Sequence, residues 1–414
     1  MKFLQDVLKE IRPKGDALKN SQQIVDRLND LLKKSRVDAV SVVGGSVAKN
    51  THIKYYDCDI FVKFSLNYKG EDISKVLEKV IRPMKPEVLH GSRDYFQVTA
   101  NKTVYEIIPV LDVKNPIQAD NVTDMSPMHI EWVKSNIKNL ADDIRLAKVF
   151  CKAQGVYGAE SYINGFSGYM VEILVIHYNG FQRMINGVAN WRPRQVIDVK
   201  GYYLGESVFN SINKSKLQSP IVVIDPVQKE RNAAAALSED KFGKFVLAAK
   251  RFIEKPSKDF FYEKEFSIND LKRESKYLGT QLIVLEVVPQ DGRKDAVGSK
   301  LIQAWDHIKK WIDIYEFKVF DHGWHWSDST NKAYFWYMTY PKELPAFKKH
   351  PGPLVHSGDV HVKKFIEIHK NVMIENSRLF AKVKREFTTV KDCVKHVIKD
   401  SFMKEHVKTI RIIK

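Results

Sequence analysis

Cysteine is scarce in this chain of 414 residues. Cys58, Cys151 and Cys393 are the only three, widely separated and without a Cys-x-x-Cys pair. That argues against a disulfide framework or a cysteine-based zinc module and points to a reducing, cytoplasmic setting. No apolar run approaches the ~18 residues of a membrane-spanning helix, and Lys2, Asp6, Lys9 and Glu10 interrupt any secretory leader. No membrane partner is therefore expected. Internal repeats and low-complexity tracts are missing, and 44% hydrophobic residues rule out a mainly disordered chain. Acidic residues are in deficit as well: 50 Asp and Glu face 67 Lys and Arg, a formal charge of +17. The partner of such a protein is expected to be an anion, with nucleic acid or a polyphosphate first in line.

What is present is enough hydrophobic and aromatic residue for several cores, and a length that predicts two to four domains. The basic excess is uneven. Residues 363–414 carry 14 Lys and Arg against 6 Asp and Glu, a net +8 that is almost half of the total. Phe365, Ile366, Ile368, Val372, Met373, Leu379, Phe380 and Val383 read as helical spacing, so this segment is expected to form folded basic helices.

Two amphipathic helices are expected first, one over Phe3–Ile11 and one around Ile24–Leu32. Val37–Val43 reads as a short buried strand running into Gly44-Gly45-Ser46, followed by strands at Asp57–Phe64 and Val104–Val113. From Ser126-Pro127 the pattern turns helical, with Ser126 as N-cap, and a further helix over Ala141–Gln154 stops at Gly155. In that helix Arg145, Lys148 and Lys152 share a basic face. Phe166–Phe181 reads as a buried helix, Pro220–Ile224 as a strand closing at an architectural Asp225-Pro226 turn, and Glu254–Lys258 as a linker. Beyond it, Thr280–Val288, Val297–Ile314, Glu316–Trp326 and Lys332–Tyr340 read as strand, helix, strand, strand, an order typical of a ferredoxin-like or RNA-recognition-like sheet. Pro351-Gly352-Pro353 reads as a loop. His322 and His325 lie three apart on a strand and so face opposite sides, which favours aromatic packing or stacking near RNA over a metal site.

The chemistry concentrates in Gly44-Gly45-Ser46-Val47-Ala48-Lys49 and in Asp57-Cys58-Asp59. Strand alternation puts Asp57 and Asp59 on one face. Two neighbouring carboxylates repel, and a pair of divalent cations resolves the repulsion and can bridge a triphosphate. Gly45 lets the backbone approach phosphate, with Ser46 as a donor and Lys49 as a nearby cation. A third carboxylate is expected from a neighbouring strand, Glu106 first and Asp112 as the fallback.

Gly44-Gly45-Ser46 with Asp57-x-Asp59 resembles the DNA polymerase β-type nucleotidyltransferase superfamily. The segments 122–129, 155–160, 165–169, 225–227 and 231–232 are similar, in order, to signatures of the archaeal-type (class I) CCA-adding enzymes, the tRNA nucleotidyltransferases. The resemblance is dense over 40–240 and thinner beyond 260. It implies an α+β multidomain fold: a nucleotidyltransferase head with a mixed sheet over 1–125, a helical central domain completing the nucleotide pocket over 126–257, and C-terminal RNA-binding domains over 258–414. It implies Asp57, Asp59 and Glu106 as catalytic metal ligands, and Gly45, Ser46, Lys49, His129, Lys148, Tyr157 and Arg231 as nucleotide-binding residues. The implied partners are tRNA, CTP and ATP, with Mg2+ as cofactor; a homodimer is left open. Glu106 departs from the family's usual Asp, and Lys49 from its more frequent Arg, which loses bidentate phosphate geometry but keeps the charge. Two rivals stay open at this point, a poly(A) polymerase-like terminal transferase and a catalytically silent RNA-binding protein.

The two kinds of anion make different demands on salt. Binding of tRNA is expected to weaken steeply between low and moderate salt, whereas nucleotide affinity, set in a small metal-shielded pocket, changes much less; filter binding and nucleotide titration across a salt series measure both.

Overall fold

Apolar residues recur at helical spacing in α1 (Phe3–Ile11) and α2 (Ala17–Lys34), so each buries one stripe and leaves its lysines in water. Both belong to the first of two compact units, residues 1–264; the second is residues 265–414. The computed structural model describes residues 1–91, 93–100, 103–327, 330–340 and 343–414.

Next come β1 (Ala39–Val43), the one-turn α3 (Gly45–Ala48), β2 (Cys58–Phe64), α4 (Ile73–Ile81), β3 (Glu87–Leu89), β4 (Tyr95–Ala100) and β5 (Thr103–Leu111). They build a mixed sheet ordered β1-β2-β5-β4-β3, in which β2 and β5 run parallel and the other pairs antiparallel. Leu28 of α2 and Leu77 and Ile81 of α4 pack on Ile60, Val62, Phe64 and Ile107 to cover one face. The strand expected to be buried over 37–43 is instead the edge strand β1, where Ser41 alone of its five residues is buried and Val40 is exposed. Pro109 is tolerated in the central strand β5 because it lies past the end of the β4 pairing, where no ladder bond is lost on that side.

A helical layer completes the unit: α5 (Ser126–Asn136), α6 (Ala141–Ala153), α7 (Gly168–Tyr178), α8 (Phe181–Val188), β6 (Gln195–Ile197), α9 (Val208–Ser211), β7 (Ile221–Val223) and α10 (Glu239–Glu254). Met125, closing a 3-10 turn, takes the N-cap position expected for Ser126. At the centre of the layer the Phe150 ring lies 5.6–6.2 Å from those of Phe181, Phe245, Phe252, Phe260 and Phe261. Two segments assigned elsewhere by sequence order join this core. Helix α1 packs here through Leu4, Val7 and Leu8, with Phe3 6.3 Å from Phe252. Phe260 and Phe261 carry the packing beyond the linker expected at Glu254–Lys258.

The second unit contains α11 (Ile268–Leu278), β8 (Gln281–Pro289), α12 (Lys294–Ile314), β9 (Lys318–Ser327), β10 (Lys332–Tyr340), β11 (Phe347–Leu354), α13 (Asp359–Ile368), β12 (Val372–Glu375), β13 (Arg378–Lys384), α14 (Val390–Val397), α15 (Ser401–His406) and β14 (Val407–Ile412). An antiparallel sheet ordered β14-β8-β10-β9 carries α12 and α14 on one face, the ferredoxin-like arrangement the strand–helix–strand–strand order predicts. The turn expected between β9 and β10 includes Asp328 and Ser329, which lie outside the described residues. His322 and His325 do face opposite sides, His322 against Trp305 (4.9 Å) and His325 stacked on Phe266 (4.8 Å).

The basic C-terminal region departs from the expected run of helices. Only residues 359–368, 390–397 and 401–406 are helical; Val372–Glu375 and Arg378–Lys384 form a hairpin that joins β11 in a separate three-stranded sheet. Its turn is Asn376-Ser377, both with positive φ (46° and 59°), the geometry a tight hairpin requires. Pro351-Gly352-Pro353 is likewise in strand β11 rather than a loop, around an irregularity in the β11–β13 register. Gly352 is needed there because a Cβ would stand 2.6 Å from the Phe365 ring. For the aromatic core, Phe150→Ala is expected to lower stability by about 3–5 kcal/mol, read from urea denaturation, because five rings lose a shared neighbour.

Candidate active site

Strand β1 delivers the Gly-Gly-Ser turn directly across β2. The Gly44 N–H donates to the Asp59 carbonyl at 2.7 Å. Gly45 has φ +54°, and a Cβ on it would lie 1.5 Å from Asp59 Oδ2; one on Gly44 would lie 2.9 Å from the Phe61 ring. Both glycines are therefore fixed by how closely the loop passes the carboxylate-bearing strand. Ser46 follows in the single turn of α3.

Parallel register sets Asp59 beside Glu106 of β5, and Glu106 in turn faces Gln97 of β4, whose Nε2 donates to Glu106 Oε1 at 3.1 Å. Asp57 is exposed just ahead of β2. Burial, reinforced by Glu106 and Asp57 and only partly opposed by Lys49, pushes the Asp59 carboxyl up to about 7. Burial also raises Glu106, with the Gln97 bond opposing and Asp57 adding to the shift. Asp112, the fallback, sits beyond the end of β5 and is taken by Lys63 at 2.7 Å and Lys114 at 3.3 Å. The surviving trio is an all-oxygen, mutually repelling set gathered where β2 begins beside β5, the donor chemistry a hard divalent cation takes. Among the described residues no three His, Cys, Asp or Glu side chains already converge to metal-ligand distance. The fit therefore rests on donor type, strand register and unrelieved repulsion.

On the other side of the loop lies a group of opposite sign. Glu172 of α7 is fully buried; Lys49 Nζ lies 2.6 Å from its Oε2, and Lys148 Nζ of α6 lies 2.8 Å from its Oε1. Thr51 donates to Oε1 at 2.6 Å and accepts from Lys148 at 3.0 Å. Burial alone would raise the Glu172 carboxyl, but the two lysines overcome it and hold it at about 2. Arg145 and Lys148 are buried rather than forming the solvated basic face their spacing suggests. Arg145 is committed to the backbone carbonyls of Asn50 and His52, at 2.8 and 2.9 Å, and to Asp142 at 3.0 Å. It clamps the loop to α6. Lys152, one turn on, stands 5.2 Å from the centre of the Tyr157 ring, and its ammonium feels Asp57. Tyr157 lies against the start of α7, its hydroxyl 2.8 Å from where a Cβ on Gly168 would be.

Asp225 organises a third group. Its buried carboxylate accepts from Tyr169 at 3.0 Å and from the Val227 N–H at 2.8 Å, and pairs with Arg231 at 2.5 Å. His129 Nε2 is 3.2 Å away, an electrostatic contact rather than a well-aligned hydrogen bond. Burial pushes Asp225 up, and His129, Arg231 and the Val227 amide outweigh it, leaving the carboxyl well below its usual range. The His129 ring stacks on Tyr169 at 4.1 Å. Tyr169 and Glu172 are one turn apart on α7, so the Asp225 and Glu172 groups are neighbours.

The expected residues thus fall into three adjoining groups: Gly45, Asp59 and Glu106 with Asp57 close by; Lys49 and Lys148, with Tyr157 alongside; and His129 with Arg231. Glu172, the carboxylate at the centre of the second group, is the residue sequence reading missed; Asp225, at the centre of the third, was read only as part of an architectural turn. The signal for Glu172 was a lone charge inside the otherwise apolar helical run Met170–Ile176.

Residues 142–262 match the family described as tRNA nucleotidyltransferase, second domain, and residues 278–411 the CCA-adding enzyme, C-terminal domain. A CCA-adding enzyme of Nanoarchaeum equitans is 32% identical over 93% of this chain and 94% of its own length. Others from Methanothermobacter thermautotrophicus and Methanococcus maripaludis are 29% and 30% identical, over 90% and 97% of this chain and 83% and 92% of theirs. Among solved structures, the Cid1 poly(U) polymerase bound to MgATP superposes with a TM-score of 0.52 at 15% identity, covering 64% of this chain and 98% of that one. That likeness is one of fold.

The raised Asp59 carboxyl has a consequence for stability. A group that binds its proton more tightly folded than unfolded favours the fold at low pH and loses that contribution as pH rises from about 4 through about 7. In EDTA, Asp59→Asn is expected to melt higher than the parent at pH 8 and to lose that advantage at pH 4; an equal shift at both would contradict the repulsion. Added Mg2+ is expected to raise the parent's melting temperature at pH 8 and not the variant's.

Proposed function

The chain belongs to the CCA-adding enzyme family and is a CCA tRNA nucleotidyltransferase, and from that premise we propose that it adds C, C and A to a tRNA 3′ end from CTP and ATP, without a template, by two-metal catalysis. The observation that carries this reading is Lys49. It feels the Asp59 carboxylate while bonded to Glu172, and so joins a patch in need of a cation to a patch with a cation to spare.

Asp57, Asp59 and Glu106 would hold Mg2+ where β2 begins beside β5. When bound, the ions neutralise the triphosphate and lower the pKa of the attacking 3′-OH. Ser46, Lys49 and Lys148 bind the phosphates, with Tyr157 packed beside them, and Gly45 lets the backbone come close. His129 and Arg231, held in place by Asp225 and Tyr169, face the nucleoside end and contribute to choosing the base. The 3′-OH attacks the α-phosphorus, a phosphodiester forms, and pyrophosphate leaves. Relatives named as CCA-adding enzymes, and a fold neighbour bound to MgATP, support this reading.

Labelled CTP and ATP, offered separately and together to tRNA lacking its terminal residues, test it. Two C's followed by one A are expected; an unbounded A tail would instead favour a poly(A) polymerase-like activity. Asp57→Ala and Asp59→Ala are each expected to abolish incorporation while leaving tRNA affinity within about threefold, since both lie at the chemistry rather than on an RNA-binding surface. Full activity in both variants would sink the assignment.

A further inference from the structure

Glu172 belongs to none of the roles just assigned, yet it is a fully buried, fully engaged charge at the centre of its group. It has no solvent access, and each oxygen is taken: Oε2 by Lys49, Oε1 by Lys148 and Thr51. Three segments meet on it, the loop after α3 through Lys49 and Thr51, α6 through Lys148, and α7 through Glu172 itself. Its carboxyl is held at about 2, so it is neither an acid nor a base near neutrality. A carboxylate with no solvent access and both oxygens bonded to buried partners is not open to a metal, and it would repel a phosphate. It acts on whatever binds here only through the lysines.

Those lysines need it. Lys148 is buried, and burial together with Lys49 and Lys152 lowers its pKa; Glu172 is what opposes that fall. The groups facing Lys148 are Lys152 on its own helix, Lys49 and Thr51 on the loop, and Glu172 on α7, with Tyr157 alongside. Two ammonium groups on one carboxylate leave one positive charge uncompensated, in a place where water cannot spread it.

We infer that Glu172 is a positioning residue for the nucleotide triphosphate: it aims Lys49 and Lys148 from behind, without touching the nucleotide. The inference rests on the reading that these two lysines hold the phosphates. Because the phosphates are common to both substrates, Glu172 acts on CTP and ATP equally and has no part in choosing the base. Take its charge away and two ammonium groups are left facing each other in a dry site. One of them is then released as a neutral amine at alkaline pH, and the triphosphate loses a partner.

The test is steady-state incorporation by Glu172→Gln, with CTP and ATP each varied from pH 6 to pH 9 and folding checked by circular dichroism and melting temperature. The ratio of variant to parent KM is expected to rise equally for both nucleotides, by about tenfold at pH 8.5, and to shrink towards pH 6. Saturating kcat is expected to stay within about threefold. Should Glu172→Gln fail to fold, Glu172→Asp keeps the charge one methylene short and is expected to raise KM without the pH slope. A KM ratio flat with pH in Glu172→Gln, a fall in kcat with KM unchanged, or a sloped ratio in Glu172→Asp would each overturn the inference. A parent enzyme that incorporates neither nucleotide would overturn the reading beneath it instead.

Discussion

A carboxylate shut away from water has to be neutralised where it stands, and much of the first unit is arranged around doing so for Glu172. Its cations come from two directions, Lys148 from the neighbouring helix and Lys49 from a loop that belongs to the sheet. The loop must therefore lie against the helical layer, and Arg145 holds it there by the carbonyls of Asn50 and His52. An apolar contact of the same size could hold these layers as tightly or more so, because desolvating charges is expensive. What the ionic joint supplies is a fixed surplus of positive charge beside the Gly-Gly-Ser turn.

The sheet shows the opposite imbalance. Asp57, Asp59 and Glu106 crowd negative charge together where β2 begins beside β5, and the raised Asp59 carboxyl shows how poorly it is relieved. One patch lacks a cation and the next lacks an anion, with a single short loop between them. A metal-bound nucleoside triphosphate carries both signs in one molecule, so on the proposed reading a single binding event relieves both. The glycines make this geometry attainable: the loop can separate the two patches by so little only because Gly45 has no Cβ to strike Asp59.

Residues whose role depends on close chain neighbours were legible in the sequence. The Gly-Gly-Ser turn, the Asp-x-Asp alternation and the helices α1, α2, α6 and α12 each announce themselves within a dozen residues. Glu106 was already preferred to Asp112 in the sequence, and the parallel register sets it beside Asp59. Glu172 was not legible because its partners lie far away in the chain, 123 and 24 positions off; Asp225 was legible as a turn but not as a partner of Tyr169, 56 positions away. The C-terminal error was one of period. Leu379, Ala381 and Val383 alternate, and Leu379 and Ala381 are buried, yet mixed with the residues of α13 the apolar positions gave a helical count. The Asn376-Ser377 turn, without glycine, is a weaker hairpin signal than Asn-Gly.

That correction alters how the basic excess is displayed. On β13 the alternate residues Arg378, Phe380, Lys382 and Lys384 share one face, while Leu379, Ala381 and Val383 take the other. Same-face residues on a strand stand about 7 Å apart along a nearly straight line, whereas a helix of equal length would wind its cations around a cylinder. Lys349 lies 4.1 Å from the Phe380 ring centre and Lys382 4.4 Å from that of Phe347, so rings from β11 and β13 help to hold these ammonium groups close to the sheet. A sheet bearing cations and at least partly exposed rings can offer both charge and stacking to an RNA strand. The net +8 of the last 52 residues is unchanged, but the hairpin gives part of it a direction.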